Sequence, residues 1–350
     1  MRSISRPARG RIFILCLSAV VFFAAMGRAA QDQQAEKAWP TVGFKLSGGL
    51  GLTWNGGGDL EKYRAGTVDL YKAIGGSEGF TAHQNWTRMG TIPNFEFDVI
   101  FRLSEHWGVG LGTGYLKASS RGDYGSVWEQ AGTESWGTFT QSATTSVAED
   151  YQVTAIPIRL SLYLMFPAGR WTFYGFAGTG FYLGKFSHST TSDFSYAYAD
   201  SSSTLLDEKQ EITDNEVWSE SATKNAFGFH GGVGLEFKLA PFLSLGLEAY
   251  GRYVNFSGWE GELNATSTIR EKQWREDRGW YYDQTSTDAY SVKGRLWHYE
   301  FQVSDLGAYY PQMGIWGYTP DESTFRNVRD AAINLNAFGL AASIKIFFNL

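Results

Sequence analysis

Apolar and polar residues alternate at every second position in eight stretches of the chain. From Val42 to Trp54 the even positions read Val42, Phe44, Leu46, Leu50, Leu52 and Trp54, and the odd ones Gly43, Lys45, Ser47, Gly49, Gly51 and Thr53. Successive side chains of a strand point to opposite faces, so this pattern predicts a β-strand with an apolar face and a small or polar face. The same alternation runs through Phe95–Leu103, Trp107–Tyr115, Ile156–Phe166, Phe227–Leu239, Leu243–Tyr253 and Phe338–Leu350. The eighth stretch, Trp171–Phe186, is aromatic and Gly-rich on both faces, and its inward side stays open.

Strand length and spacing say what kind of sheet this is. The runs match the ~9–11 residues of a tilted membrane-spanning strand rather than the ~5–6 of an ordinary one. The links alternate strictly. Residues 104–106, 167–170 and 240–242 are short; 55–90, 118–150, 187–224 and 256–332 are long. An up-and-down barrel with both termini on one side produces tight turns at one end and long loops at the other. The expected fold is therefore all-β: a transmembrane antiparallel up-and-down β-barrel of eight strands, with long external loops carrying short helices. A further alternation at Trp297, Tyr299, Phe301 and Val303 sits in polar surroundings and reads as an extramembranous extension, with ten strands left open. Spacing of three and four predicts a helix through Leu60, Tyr63, Thr67, Leu70, Tyr71 and Ile74 after Asp59. A second helix is expected from Thr319–Glu322, with Phe325 and Val328 on one face. A soluble secreted ligand-binding barrel fits the loop segregation poorly.

The N-terminus gives the destination. Arg2, Arg6, Arg9 and Arg11 precede the apolar run Ile12–Ala25, with Gly27 and Ala29 as small residues before a cleavage point. This reads as a signal peptide over residues 1–29, followed by a short lead at 30–40 and a single barrel domain at 41–350. Losing the five arginines of residues 1–29 takes the formal charge from −6 to about −11, which argues against a nucleic-acid partner. The single cysteine, Cys16, lies inside the signal, so the mature chain has neither disulfide nor cysteine-based metal site. The expected location is a bacterial outer membrane.

Two segments carry a resemblance. AIPIRLSLYLMFPAGRWTFYGFAGTGFYLG, from Ala155, and FGFHGGVGLEFKLAPFLSLGLEAYGRY, from Phe227 to Tyr253, resemble hairpins of the small outer-membrane β-barrel superfamily, the OmpA/OmpW-like group. With the last strand they cover about a third of the mature chain. The resemblance implies a barrel in the outer membrane. It implies no substrate, since such families host pores, adhesins, anchors and enzymes. The C-terminal strand, with Ile344, Ile346, Phe348 and Leu350, is similar to the assembly signal read by the outer-membrane insertion machinery. It departs from it in ending Phe348-Asn349-Leu350.

The inward faces predict a lumen charge network of Lys45, Glu96, Asp98, Arg102, Arg159, His230, Glu236, Lys238, Glu248, Arg252 and Lys345. Eight strands enclose a space that side chains can fill, and charges buried there have to pair. A salt-bridged plug is the bland reading. A gated conduit is the other, and the Gly-rich inner faces of the first and third strands argue for some internal space. The five histidines, His83, His106, His188, His230 and His298, stand in no paired-His metal spacing, and there is no G-x-S-x-G element. No catalytic, cofactor-binding or metal-binding residue is assigned. Asn-x-Ser/Thr triplets at Asn85, Asn255 and Asn264 read as chance. The sequence thus predicts a non-enzymatic outer-membrane barrel, first as a narrow porin-like channel or conduit for small or apolar solutes. The alternatives are a closed barrel anchoring external binding loops and a rim-located lipid or peptide hydrolase. Expected partners are outer-membrane lipid, the outer-membrane assembly machinery and a small apolar solute.

Overall fold

The computed structural model describes residues 41–349, apart from 54–56, 135–136, 203–205 and 304–305. The signal peptide, the lead, Trp54 and Leu350 lie outside the described residues. Among the described residues fourteen strands and one helix follow in order: β1 (Thr41–Thr53), α1 (Asp59–Gly75), β2 (Phe80–Trp86), β3 (Thr91–Arg102), β4 (Trp107–Glu134), β5 (Gly137–Ala168), β6 (Trp171–Ser202), β7 (Glu208–Ala240), β8 (Leu243–Ser257), β9 (Glu260–Arg275), β10 (Gly279–Val303), β11 (Ala308–Trp316), β12 (Arg326–Asp330), β13 (Ala332–Asn334) and β14 (Ala337–Asn349).

Eight of these strands close on themselves. β1 pairs with β3, β3 with β4, and so on through β5, β6, β7 and β8 to β14, which pairs back with β1, every pair antiparallel. The eight alternating stretches of the sequence are these eight staves, and the three short links are the turns at one end of the ring. The faces also follow the alternation. Leu50, Leu52, Phe95, Leu111, Ile158, Leu160, Phe227, Leu247 and Leu340 are exposed on the outer wall, while Lys45, Asp98, Arg159, Glu236 and Lys345 are buried inside. On β6 the even residues point inward, from Thr172 and Tyr174 to Tyr182 and Phe186.

The long links are not loops, and this corrects the expectation. Four staves, β4 to β7, run far beyond the ring at the end opposite the turns. Where β3 stops, β2 takes its place beside β4; where β8 stops, β9 takes its place beside β7. The result is an outer tier ordered β2–β4–β5–β6–β7–β9–β10–β11, with α1 packed between β2 and β11. Gly66 of α1 meets Pro311, and Gly75 meets Ala82, so closely that neither could carry a side chain unmoved. These strands are rich in Ser, Thr and acidic residues on both faces, and so show no period-2 hydrophobic signal.

The first predicted helix is α1. The second is not formed. Asp321 instead closes a single turn, accepting the Ser323 N–H at 2.9 Å, and the chain continues as β12 against β10. Phe325 packs on Tyr299 and Trp316, which fixes the segment by an aromatic cluster rather than by a helical face. The stretch Trp297–Val303 belongs to β10 in the outer tier, not to the ring.

Over the four staves that stop short, inward-folded segments fill the mouth of the ring. Ile92, Leu116, Val153, Phe186, Val254, Phe256, Trp259, Leu296, Ile333 and Leu335 form one fully buried apolar cluster, joined by Leu60 of α1. Burying a large apolar side chain contributes roughly 1.5–3 kcal/mol. This plug is therefore a substantial part of what holds the tier on the ring.

Candidate functional site

The ring interior is the first candidate. Lys45 of β1 lies opposite Asp98 of β3 and opposite Lys345 of β14. Its Nζ is 3.0 Å from Asp98 and 3.0 Å from Glu248 of β8. Arg159 of β5 reaches Asp98 at 2.8 Å and Glu96 at 2.6 Å. The Tyr174 hydroxyl donates to Glu248 at 2.6 Å. Nearer the turn end, Glu236 binds Lys345 at 3.2 Å and Arg102 at 3.3 Å. Lys345 also sits 3.7 Å from the centre of the Tyr174 ring, and Arg102 lies 3.8 Å from that of Phe347. Two like-charged lysines can face each other here because carboxylates flank both.

Eight of the eleven predicted lumen residues thus join through ion pairs: Lys45, Glu96, Asp98, Arg102, Arg159, Glu236, Glu248 and Lys345. His230 is in the lumen too, but bonds Ser161 Oγ through Nε2 at 2.7 Å. Arg252 has a different partner. Its Nε donates to the Leu335 carbonyl at 3.1 Å, tying the mouth segment to the ring. Lys238 stands lower, at the β5–β6 turn, where its backbone N–H donates to the Arg170 carbonyl.

The inner glycines do not leave internal space, which corrects a second expectation. Each seats a side chain from a neighbouring stave. A Cβ on Gly110 would stand 2.7 Å from the Tyr163 ring, and one on Gly178 would stand 2.9 Å from His230. Gly43 is covered by Phe347, Gly112 by Asp98 and Gly234 by Tyr174. Tyr163, Tyr174, Ile100 and Met165 close the turn end as a second apolar cluster. Lys45, Asp98 and Lys345 each keep 2% of their surface exposed, so no water-filled path reaches them.

The outer tier holds two further polar clusters that the sequence did not disclose. Glu149 is buried and accepts hydrogen bonds from the hydroxyls of Tyr63 (2.8 Å), Tyr124 (2.6 Å) and Tyr151 (3.1 Å). Burial and the neighbouring acidic groups hold all three phenols above their ordinary range, so they stay neutral donors. Beside them His188 Nδ1 is 2.8 Å from Glu220, and His188 Nε2 is 2.7 Å from Thr190 Oγ1. A hydroxyl, an imidazole and a carboxylate in line is the geometry of an activated nucleophile. Here all three are buried, the imidazole is stacked 4.0 Å from Tyr151, and Glu220 also accepts the Ile315 N–H at 2.9 Å. A substrate has no approach to Thr190. Only the register of β6 with β7, which sets His188 opposite Glu220, discloses the arrangement. Among the described residues, no three of His, Cys, Asp and Glu converge as a metal ion would need.

Comparison with solved structures returns outer-membrane proteins. One is OprG from Pseudomonas aeruginosa, 9% identical over 91% of this chain and 100% of that chain, with a TM-score of 0.32. Another is a major outer membrane protein from Thermus thermophilus, 14% identical over 88% of this chain and 99% of that chain, with a TM-score of 0.26. No curated protein sequence matches. A family pattern matches residues 16–275, most of the chain, and the chain accordingly belongs to the outer membrane protein β-barrel domain family.

Proposed function

We propose that this outer-membrane protein is a barrel closed to solutes, whose eight staves span the bilayer and hold the outer tier on the cell surface. The observation that carries this reading is the filled interior. The ion pairs, the aromatic seats over the inner glycines and the apolar plug above them occupy the ring in turn from its lower half to its mouth. A porin-like channel, the first expectation from the sequence, would need the Lys45–Asp98–Arg159 chain to break and the mouth cluster to lift together. An unpaired buried charge costs several kcal/mol, so that opening is expensive.

The spanning role rests on the outer wall. Exposed apolar side chains run from Ile156 to Phe166 on β5 and from Phe227 to Leu239 on β7. At barrel tilt, about 11 residues rising ~3.3 Å each match the ~25 Å apolar band of such barrels. Lipid is thus one partner, and the insertion machinery that would read β14 is another. Export through a cleaved signal peptide completes the pathway. The protein is non-enzymatic in this reading, since the relay of hydroxyl, imidazole and carboxylate at Thr190 is sealed.

Planar-bilayer recording tests the closed state. Purified protein is expected to give no steady conductance at moderate voltage. A stable open level carried by the intact chain would overturn the reading in favour of a channel.

A further inference from the structure

Between Gly279 and Ser291, β10 pairs with β9 on one side and with no described strand on the other; β11 joins that other side from Arg295, and Gly317 after it packs against Val292 and Lys293. This bare edge is as long as β1, which has 13 residues. Asp283–Ser291 is exposed without interruption, on both faces. Every second N–H and C=O along it therefore faces outward with no strand to bond. Edges of this kind are ordinarily kept short, bent by bulges, interrupted by proline or covered. Here the one register shift lies near the tip, at Trp280/Tyr282, and the segment contains no proline.

We propose that this edge pairs with β10 of a second copy, so that two outer tiers join into one continuous sheet. A sheet extended through identical edges is antiparallel, with inner faces continuing into inner faces. About a two-fold axis at Thr287, Asp283 comes opposite Ser291, Gln284 opposite Tyr290, Thr285 opposite Ala289, and Ser286 opposite Asp288. No like charges meet, and both acidic residues, Asp283 and Asp288, face serine hydroxyls that can donate to them. Moving the axis to Asp288 would set that carboxylate against itself.

The symmetry also fixes where the partner comes from. The axis is normal to the sheet and reverses the strands, and β10 runs from the far tip back toward the ring. A neighbour in the same membrane presents β10 running the same way and cannot pair. The partner is an inverted copy, reaching from a facing membrane. The contact joins two cells. The inference rests on the surface display proposed above but not on a closed lumen, so a conducting barrel would leave it standing.

Cross-linking tests it, because the chain beyond Cys16 has no thiol of its own. Two cell populations carry full-length Thr287→Cys, one of them with an epitope tag. They are mixed and treated with copper–phenanthroline, which takes up the two electrons as two thiols lose their protons and form the S–S bond. Tagged–untagged dimers are expected at least ten-fold above those of Ser189→Cys, on the outer face of central β6. Equal yields, or no mixed dimer, overturn the proposal; dimers formed when either population is oxidised in a dilute suspension of separated cells overturn the facing-membrane geometry. A second variant, Thr287→Lys, sets two cations against each other. It is expected to abolish settling of the cells while the barrel keeps its heat-dependent shift on SDS gels, and unchanged settling counts against the proposal.

Discussion

The Asp98 carboxylate occupies the space that any side chain at Gly112 would need. The two residues are directly opposite across β3 and β4, so the glycine exists to admit the acid. Gly112→Val should push Asp98 away from Lys45 and Arg159 and strand buried charge, at a cost of about 3–5 kcal/mol. Gly48→Ala is the contrast, since on the outer wall its new methyl meets only the Phe95 ring, at 3.7 Å. Urea unfolding followed by the heat-dependent gel shift should separate the two; equal midpoints would mean that the Asp98 contacts contribute nothing.

Lys45 bridges two acids, and its removal should show coupling. Lys45→Met leaves Asp98 with Arg159 but leaves Glu248 without an ion pair, with only the Tyr174 hydroxyl bonded to it and Lys345 at longer range. The single change should cost about 3–5 kcal/mol. Adding Glu248→Gln removes the stranded charge and should recover a large part of the loss. In a double-mutant cycle the interaction energy is expected to exceed about 1 kcal/mol, and strict additivity would contradict the pairing.

Glu149 offers the same logic in the outer tier. Glu149→Ala would leave three buried tyrosine hydroxyls with only one another as acceptors, and each hydroxyl left unpaired costs about 1–3 kcal/mol. Trp86 stacks on Tyr124, with ring centres 5.6 Å apart and 8° between planes, and so reports on the site by its fluorescence. Hydrogen exchange should rise in β2, α1 and the far half of β5 while the ring stays protected. Uniform loss of protection would show that tier and ring unfold as one unit.

These sites were unequally legible in the sequence. Strands with unlike surroundings on their two sides write themselves into period-2 alternation, so the ring and its inward charges could be read before any pairing was known. Which charges meet could not be read, because that depends on register: Lys45 reaches Glu248 from a stave not adjacent to its own. The outer tier was hidden for a different reason. Segments such as Gln284–Ser291 are polar on both faces and held by backbone ladders, so they resemble loops. The inner glycines were misread as space because a missing side chain says nothing about which neighbour fills the gap.

Asp59 gives the mouth of the ring a pH dependence. It opens α1, and its carboxylate receives Arg329 at 2.5 and 2.6 Å and the Ala332 N–H at 2.7 Å. Burial pushes its acidity constant up, but these donors outweigh burial and hold it at about 2, against an ordinary 3.8. A carboxyl depressed by folding stabilises fully above its unfolded value and loses that contribution as pH falls through its folded value. The contribution, on the order of 2 kcal/mol, should therefore be intact above about pH 4 and largely gone near pH 2. Hydrogen exchange corrected for intrinsic rates should show α1 loosening across that window before the ring does. Asp59→Asn should be loosened already at neutral pH and insensitive to acid there, because it keeps the shape but not the charge that Arg329 grips. Persistence of the acid response in that variant would assign the pH dependence to another group.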